Sequence, residues 1–290
     1  MDIIRKQLAE LPVRPNLLDY ETERAAFSWT AARRSLDGLP GGRGLNIAHE
    51  TVDRHAAGPR ATRIALRWRG RNDAAQDITY AQLRDLTARF ANVLATLGVA
   101  AGDRVFLLCG RIPALYVALL GALKHRCVVT PLFSAFGPEP IATRMQIGAA
   151  RVLVTTSSLY RRKVDSIRAS LPALEHVLLV DDEGAAALPA GTLALQALLD
   201  AASPAYEIAP TDPEAPALLH FTSGTTGKPK GALHVHQAIV AHYATGRLAL
   251  DFHPDDVFWC TADPGWITGT SYGVIAPLAH GITQVVDEAD

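Results

Sequence analysis

Between residues 79 and 180, short uninterrupted apolar runs alternate with longer segments of helical period. That alternation leaves the chain very few architectures. Leu83, Leu86, Phe90, Val93, Leu94 and Leu97 recur at three- and four-residue spacing and define one apolar helix face. Thr79 followed by Gln82 predicts a capping box at its start, since each side chain accepts from an N–H that the first turn leaves unpaired. Gly98 stands where a left-handed residue closes such a helix. Strands are then predicted at 104–109, 127–131, 151–155 and 176–180, with helices at 113–124, 138–147 and about 159–170 between them. Strands apolar on both faces, each followed by a helix, make a parallel sheet covered on both sides through right-handed crossovers.

The rest of the chain is organised around that block. Residues 1–36 carry a weak helical period with Phe27 and Trp29 as aromatic anchors, and the glycine-rich break DGLPGGRG follows at 37–44. A helical segment at 46–56 leads to an alternating run, 64–69, which a turn at 70–73 returns as a hairpin towards Ile78. After an acidic turn at 181–184 and a short helix at 191–201, Pro204, Pro210, Pro213 and Pro216 punctuate an extended crossing. A second α/β set is expected beyond it: strand 217–221, a helix from about Leu233 to Leu250, strand 257–260, an apolar stretch at 266–278 and strand 283–286. The fold class is α/β, with two mostly parallel sheets flanked by helices. The expected units are an N-terminal extension (1–44), a first α/β subdomain (45–203), the proline-rich crossing (204–216) and the start of a second subdomain (217–290). Because a parallel sheet does not normally stop at a bare strand, the second lobe is expected to be truncated. Its uncovered apolar surface should favour self-association or a missing C-terminal half.

Composition excludes several classes of partner. A net charge of −1 gives no electrostatic footprint for nucleic acid. The longest apolar stretch, 114–123, is too short to span a bilayer, so no membrane partner is expected. Cys109, Cys127 and Cys260 lack metal-type spacing and read as core residues in a reducing, cytoplasmic setting. His234, His236 and His242 lie close in sequence, but no Cys or acidic residue completes a metal spacing, and no metal site is assigned.

One stretch is not explained by folding. Residues 222–231, TSGTTGKPKG, hold three glycines, four hydroxyls and two lysines with no large apolar side chain. Glycine-freed N–H groups, hydroxyl donors and ammonium groups are what a polyphosphate needs around it. A Walker A loop requires four residues between its glycines and Ser or Thr after its lysine. Here two residues separate Gly224 from Gly227, and Pro229 follows Lys228. A second constellation, Asp263-Pro264-Gly265-Trp266-Ile267-Thr268-Gly269, follows a predicted strand and suits a small, mostly apolar slot with one polar contact. The same pattern also fits plain core at a helix start.

The loop TSGTTGKPKG resembles the signature of the adenylate-forming superfamily of acyl-CoA synthetases, peptide-synthetase adenylation domains and luciferases. LNIAHETVDRH, LHFTSGTTGKPKGALHVH and CTADPGWITGTSYGVIAPLAHG are similar to the acetyl-CoA synthetase branch, so the resemblance runs from about Leu45 onward. It implies activation of a small carboxylic acid by ATP, with Mg2+, and transfer of the acyl group to CoA. It also implies that Thr222, Ser223, Gly224, Thr225, Thr226, Gly227, Lys228 and Lys230 hold the ATP phosphates. Trp266, Ile267, Thr268 and Gly269 line the acyl and CoA slot, with Arg161 and Arg162 as further CoA candidates. The family's aromatic-Thr-Glu motif, ribose-binding aspartate and catalytic lysine have no counterpart in this sequence, so no catalytic residue is assigned. The chain alone is expected to show little or no ligase activity. The alternatives are a non-catalytic nucleotide- or partner-binding module and one half of a split ligase.

Overall fold

The structure is a computed structural model and describes residues 7–71, 73–184, 187–222 and 229–288. In chain order the strands are β1 (Ile64–Arg69), β2 (Ala75–Thr79), β3 (Arg104–Leu108), β4 (Val128–Pro131), β5 (Val152–Thr156), β6 (His176–Val180), β7 (Leu193–Ala194), β8 (Pro216–Thr222), β9 (Lys230–Val235), β10 (Val257–Trp259) and β11 (Thr283–Asp287). Seven of them form a large sheet in the order β7-β6-β5-β3-β4-β8-β9, parallel except for the β8–β9 pair. The other four form a small sheet, β10-β11-β1-β2, in which only β1 and β2 are antiparallel.

The alternation read from the sequence is what builds the large sheet. Val105, Phe106, Leu107 and Leu108 of β3 are all fully buried, each contributing about 1.5–3 kcal/mol on leaving water. They point alternately into two cores. One lies between the sheets and runs continuously from Leu36 through Leu107 and Leu218 to Val286. The other covers the opposite face with Ile141, Leu153 and Tyr160. The helix Tyr80–Thr96 starts with the expected capping box: Gln82 N–H donates to Thr79 Oγ1 at 3.2 Å and Thr79 N–H to Gln82 Oε1 at 2.8 Å. It ends at Gly98, whose φ of 71° lets the Val99 N–H return to the Leu94 carbonyl. The helix Pro113–Lys124 is apolar on every side and correspondingly buried. Its last residue, Lys124, is 1% exposed and reaches Asp53 at 2.7 Å.

Two expectations are corrected. Residues 230–235 form strand β9, and the helix begins only at Ala238. Ala232, Leu233, Val235, Ile239 and Val240 fit a helical period over so short a run, whereas the pairing of Phe221 with Gly231 across a hairpin decides otherwise. Sheet membership also departs from chain order. β8 was expected to open a second sheet, yet it pairs with β4 through Leu218 and Val129. The early hairpin β1–β2 joins β10 and β11 instead. Periodicity identifies strands but carries no information about which distant strand each one meets.

Candidate active site

Parallel strands place their carboxyl ends together, and in open α/β sheets ligands bind there. A cleft of about 530 Å³ opens where those ends from both sheets converge. From the large sheet it takes Gly110 and Arg111 beyond β3, and Phe133 and Ser134 beyond β4; from the small sheet it takes Thr261, Asp263 and Trp266 beyond β10, and Glu288 beyond β11. β8 runs parallel to β4, so its last residue, Thr222, leaves the large sheet at the same end.

The turn carrying Trp266 follows from its residues. Pro264 fits the first inner position of a β-turn closed by Trp266 N–H to the Asp263 carbonyl at 2.9 Å. The Asp263 carboxylate accepts from Gly265 N–H at 2.7 Å, the usual aspartate turn bond, and Thr270 Oγ1 donates to the Pro264 carbonyl at 2.6 Å. Gly265 lies directly on the chain after β4: a methyl there would sit 2.3 Å from the Phe133 nitrogen. Gly269 is buried against the Asp263 carbonyl, 2.0 Å from where its Cβ would stand, so close packing accounts for that glycine.

Three half-exposed aromatic rings meet at the rim. Trp266 lies 5.4 Å from Phe133 and 6.3 Å from Phe136, and the two phenylalanines are 5.5 Å apart. The Arg144 guanidinium covers Phe136 at 4.3 Å. Charge is concentrated beneath them. Burial pushes the Asp263 carboxyl above its ordinary range, opposed by the Gly265 N–H, the Arg111 guanidinium and Ser134. Arg111 donates through Nε to the Asp287 carbonyl at 2.7 Å and through Nη1 to the Thr261 carbonyl at 3.0 Å. Its own carbonyl accepts from the Trp68 indole at 3.2 Å.

The residues singled out in the sequence fall into three groups. Ser223, Gly224, Thr225, Thr226, Gly227 and Lys228 lie outside the described residues, flanked by the paired Thr222 and Lys230 at the mouth of the β8–β9 hairpin. Trp266 lines the cleft, and Ile267, 42% exposed, and Thr268 follow it on the surface. Arg161 and Arg162 are engaged away from it. Arg161 pairs with Glu183, and Arg162 donates to the Ser158 carbonyl at 3.2 Å. The next residue, Lys163, does reach the cleft's edge, donating to the Ser134 carbonyl at 2.6 Å. Burial followed by the charge of Arg162 lowers its ammonium from the ordinary lysine range.

Arg111, Phe133, Ser134 and Phe136 were not picked out from sequence. Their signal was positional: each falls just past a predicted apolar strand and before a helix-starting proline. Of the clustered histidines only His236 turns away, its Nδ1 accepting from the Ile47 N–H at 3.1 Å, whereas His234 packs edge to face on His220 at 5.7 Å and lies within electrostatic reach of His242.

Residues 52–290 match the family described as AMP-binding enzyme. The chain is 39% identical over 277 residues to the acetyl-coenzyme A synthetase of Bacillus subtilis, covering 93% of this chain and 46% of that protein. Against the acetyl-coenzyme A synthetase of Streptomyces coelicolor it is 38% identical over 256 residues, covering 84% and 39%. The crystal structure of Brucella canis acyl-CoA synthetase superposes with a TM-score of 0.84 at 34% identity, covering 93% of this chain and 48% of that one. The chain thus spans under half the length of these relatives, in their N-terminal part. With the parallel-strand cleft and the loop sequence, these matches establish that the chain belongs to the AMP-binding enzyme family.

Proposed function

We propose that this chain forms the substrate-gathering part of an AMP-forming acetyl-CoA synthetase-type ligase. The observation that carries the proposal is the shared exit: the strand leading into TSGTTGKPKG ends on the same side of the sheet as the strands that line the cleft. In the first half-reaction a carboxylate oxygen attacks the α-phosphorus of ATP, forming the acyl-adenylate as the bond to pyrophosphate breaks. In the second, the CoA sulfur attacks the acyl carbon and AMP leaves with the bonding electrons.

Thr222, Ser223, Thr225, Thr226, Lys228 and Lys230, with the glycine amides, would hold the β- and γ-phosphates and the departing pyrophosphate. This kind of catalysis is mainly positioning and charge stabilisation. Magnesium is assigned to the incoming nucleotide as part of the substrate. No group of three His, Cys, Asp or Glu suited to a metal occurs among the described residues. Trp266, Ile267 and Thr268 would form the slot in which acyl group and thiol meet, with Phe133 and Phe136 extending its apolar wall. A short-chain acid fits the proposal, and the setting proposed is cytoplasmic. The exposed Val257 and Trp259 on edge strand β10 make self-association, or pairing with a further segment, part of the same reading.

Calorimetry with MgATP and with CoA, together with pyrophosphate release in the presence of acetate, tests this. The expected result is binding of both ligands with little or no sustained turnover by the 290 residues. Binding of neither overturns the proposal, and robust turnover overturns the expectation that the chain is inactive alone.

A further inference from the structure

We infer that Arg111 is the positioning residue of the cleft, fixing the width of the gap between the two sheets by holding the ends of β10 and β11 against the end of β3. The inference rests on the proposed reading of that gap as the place where acyl group and thiol meet.

Arg111 belongs to the large sheet's side of the cleft, two residues beyond Cys109, where β3 has just ended. Its planar guanidinium forks to two carbonyls of the small sheet's side that lie far apart in sequence: Thr261 past β10, and Asp287 at the close of β11. The Trp68 indole adds β1 by donating to the Arg111 carbonyl. One residue therefore connects three of the four small-sheet strands to the neighbouring sheet, all at the carboxyl ends. Thr261 leads directly into Asp263, whose carboxylate shapes the Gly265 amide and hence the Trp266 turn. Among the described residues that carboxylate faces Arg111 from the β3 side, Ser134 Oγ at 3.5 Å from the β4 loop, Gly265 N–H from its own turn, and, within electrostatic reach, the buried Tyr116 of helix Pro113–Lys124. Arg71 and Glu288 line the same cavity.

Two features separate this from ordinary stapling. The acceptors are backbone carbonyls, so what Arg111 fixes is main-chain position at the cleft wall. The fork also demands two diverging donors held in one plane, which a lysine ammonium does not supply at the same reach. A conservative Arg111→Lys exchange should therefore restore only part of what a neutral variant loses.

The test compares the full 290-residue chain with Arg111→Met, Arg111→Lys and Arg151→Ala. Arg151, whose partners are Asp103 and Glu175, bridges elements near the start of β5, at the opposite ends of the strands, and serves as the structural control. CoA is the probe, titrated calorimetrically from pH 5.5 to 8, alongside amide hydrogen exchange. Arg111→Met is expected to weaken CoA at least tenfold, with Arg111→Lys intermediate. The pH at which affinity changes should move upward in Arg111→Met, because Asp263 has lost its cation. Exchange should quicken at residues 261–266 and 287–288 and not across the β3–β5 core, whereas Arg151→Ala leaves both CoA affinity and those amides unchanged. Unaltered exchange at 261–266 in Arg111→Met overturns the inference whatever the binding result. Equal CoA affinity in wild type and Arg111→Met overturns it as well. If wild type binds no CoA while those amides loosen as expected, the reading of the cleft fails and the mechanical role of Arg111 stands.

Discussion

Replacing Gly265 by alanine puts a single methyl between two backbones. The new Cβ would stand 2.3 Å from the Phe133 nitrogen, 2.5 Å from its Cα and 2.6 Å from the Leu132 carbonyl carbon. Ordinary contact begins near 3.4 Å, so the turn and the loop after β4 must part by roughly 1 Å. None of the three atoms belongs to a flexible side chain, which removes the cheap escape. Overpacking of this kind costs about 1–3 kcal/mol, and the backbone contacts place Gly265→Ala in the upper part of that range. For a chain of this size that corresponds to a fall in Tm of roughly 3–5 °C. The same displacement should separate Trp266 from Phe133, weakening the near-ultraviolet circular dichroism of the aromatic cluster. Gly58→Ala is the control: its methyl meets nothing nearer than the Arg54 carbonyl oxygen at 3.6 Å, and its Tm should hold or rise slightly. If Gly265→Ala melts within a degree of wild type and keeps its near-ultraviolet spectrum, the packing of turn on loop is wrong.

Three further outcomes follow from buried histidines, the Lys124–Asp53 pair and the Thr79 cap. Burial lowers His55 to about 3 and His220, His236, His242 and His280 to about 4, so the unfolded chain takes up protons first. Stability should be complete above pH 6.5 and decline as pH falls from 6.5 towards 4, each histidine adding up to about 1.4 kcal/mol per unit. Thermal melts across that interval would expose a flat profile, and His236→Asn should make the slope shallower. Lys124→Met strands a mostly buried Asp53 and should lose about 3–5 kcal/mol by urea denaturation, with Asp53→Asn added in the same chain restoring most of it. Thr79→Ala removes half of the capping box and should cost about 1 kcal/mol in the same assay.

The large sheet was legible because its strands are apolar on both faces and its helices carry caps that do not depend on distant neighbours. The Thr79–Gln82 box and the Gly98 terminus are local chemistry written within a few residues. What was not legible is association over distance: that β8 lies beside β4, or that β1 waits for β11, depends on surfaces assembled from the whole chain. The same division holds in the cleft. Trp266 stood out through an aspartate–proline–glycine turn, a local signal. Arg111 did not, because an arginine after a strand reads as a solvated end until two remote carbonyls come within its reach.

The pairing of β1 with β11 has a consequence for how such a chain is made. Leu66 meets Gln284, a partner synthesised far later in the chain, so at about 5–20 residues per second β1 waits roughly 10–40 s for its second neighbour. Throughout that interval the hairpin holding Leu66 and Ile78, fully or almost fully covered at the end, has β1 open on the side that β11 later fills. Nascent chains of this protein should therefore depend on chaperone occupancy at the hairpin, and synonymous codons that slow translation before β10 should lower the yield of native protein.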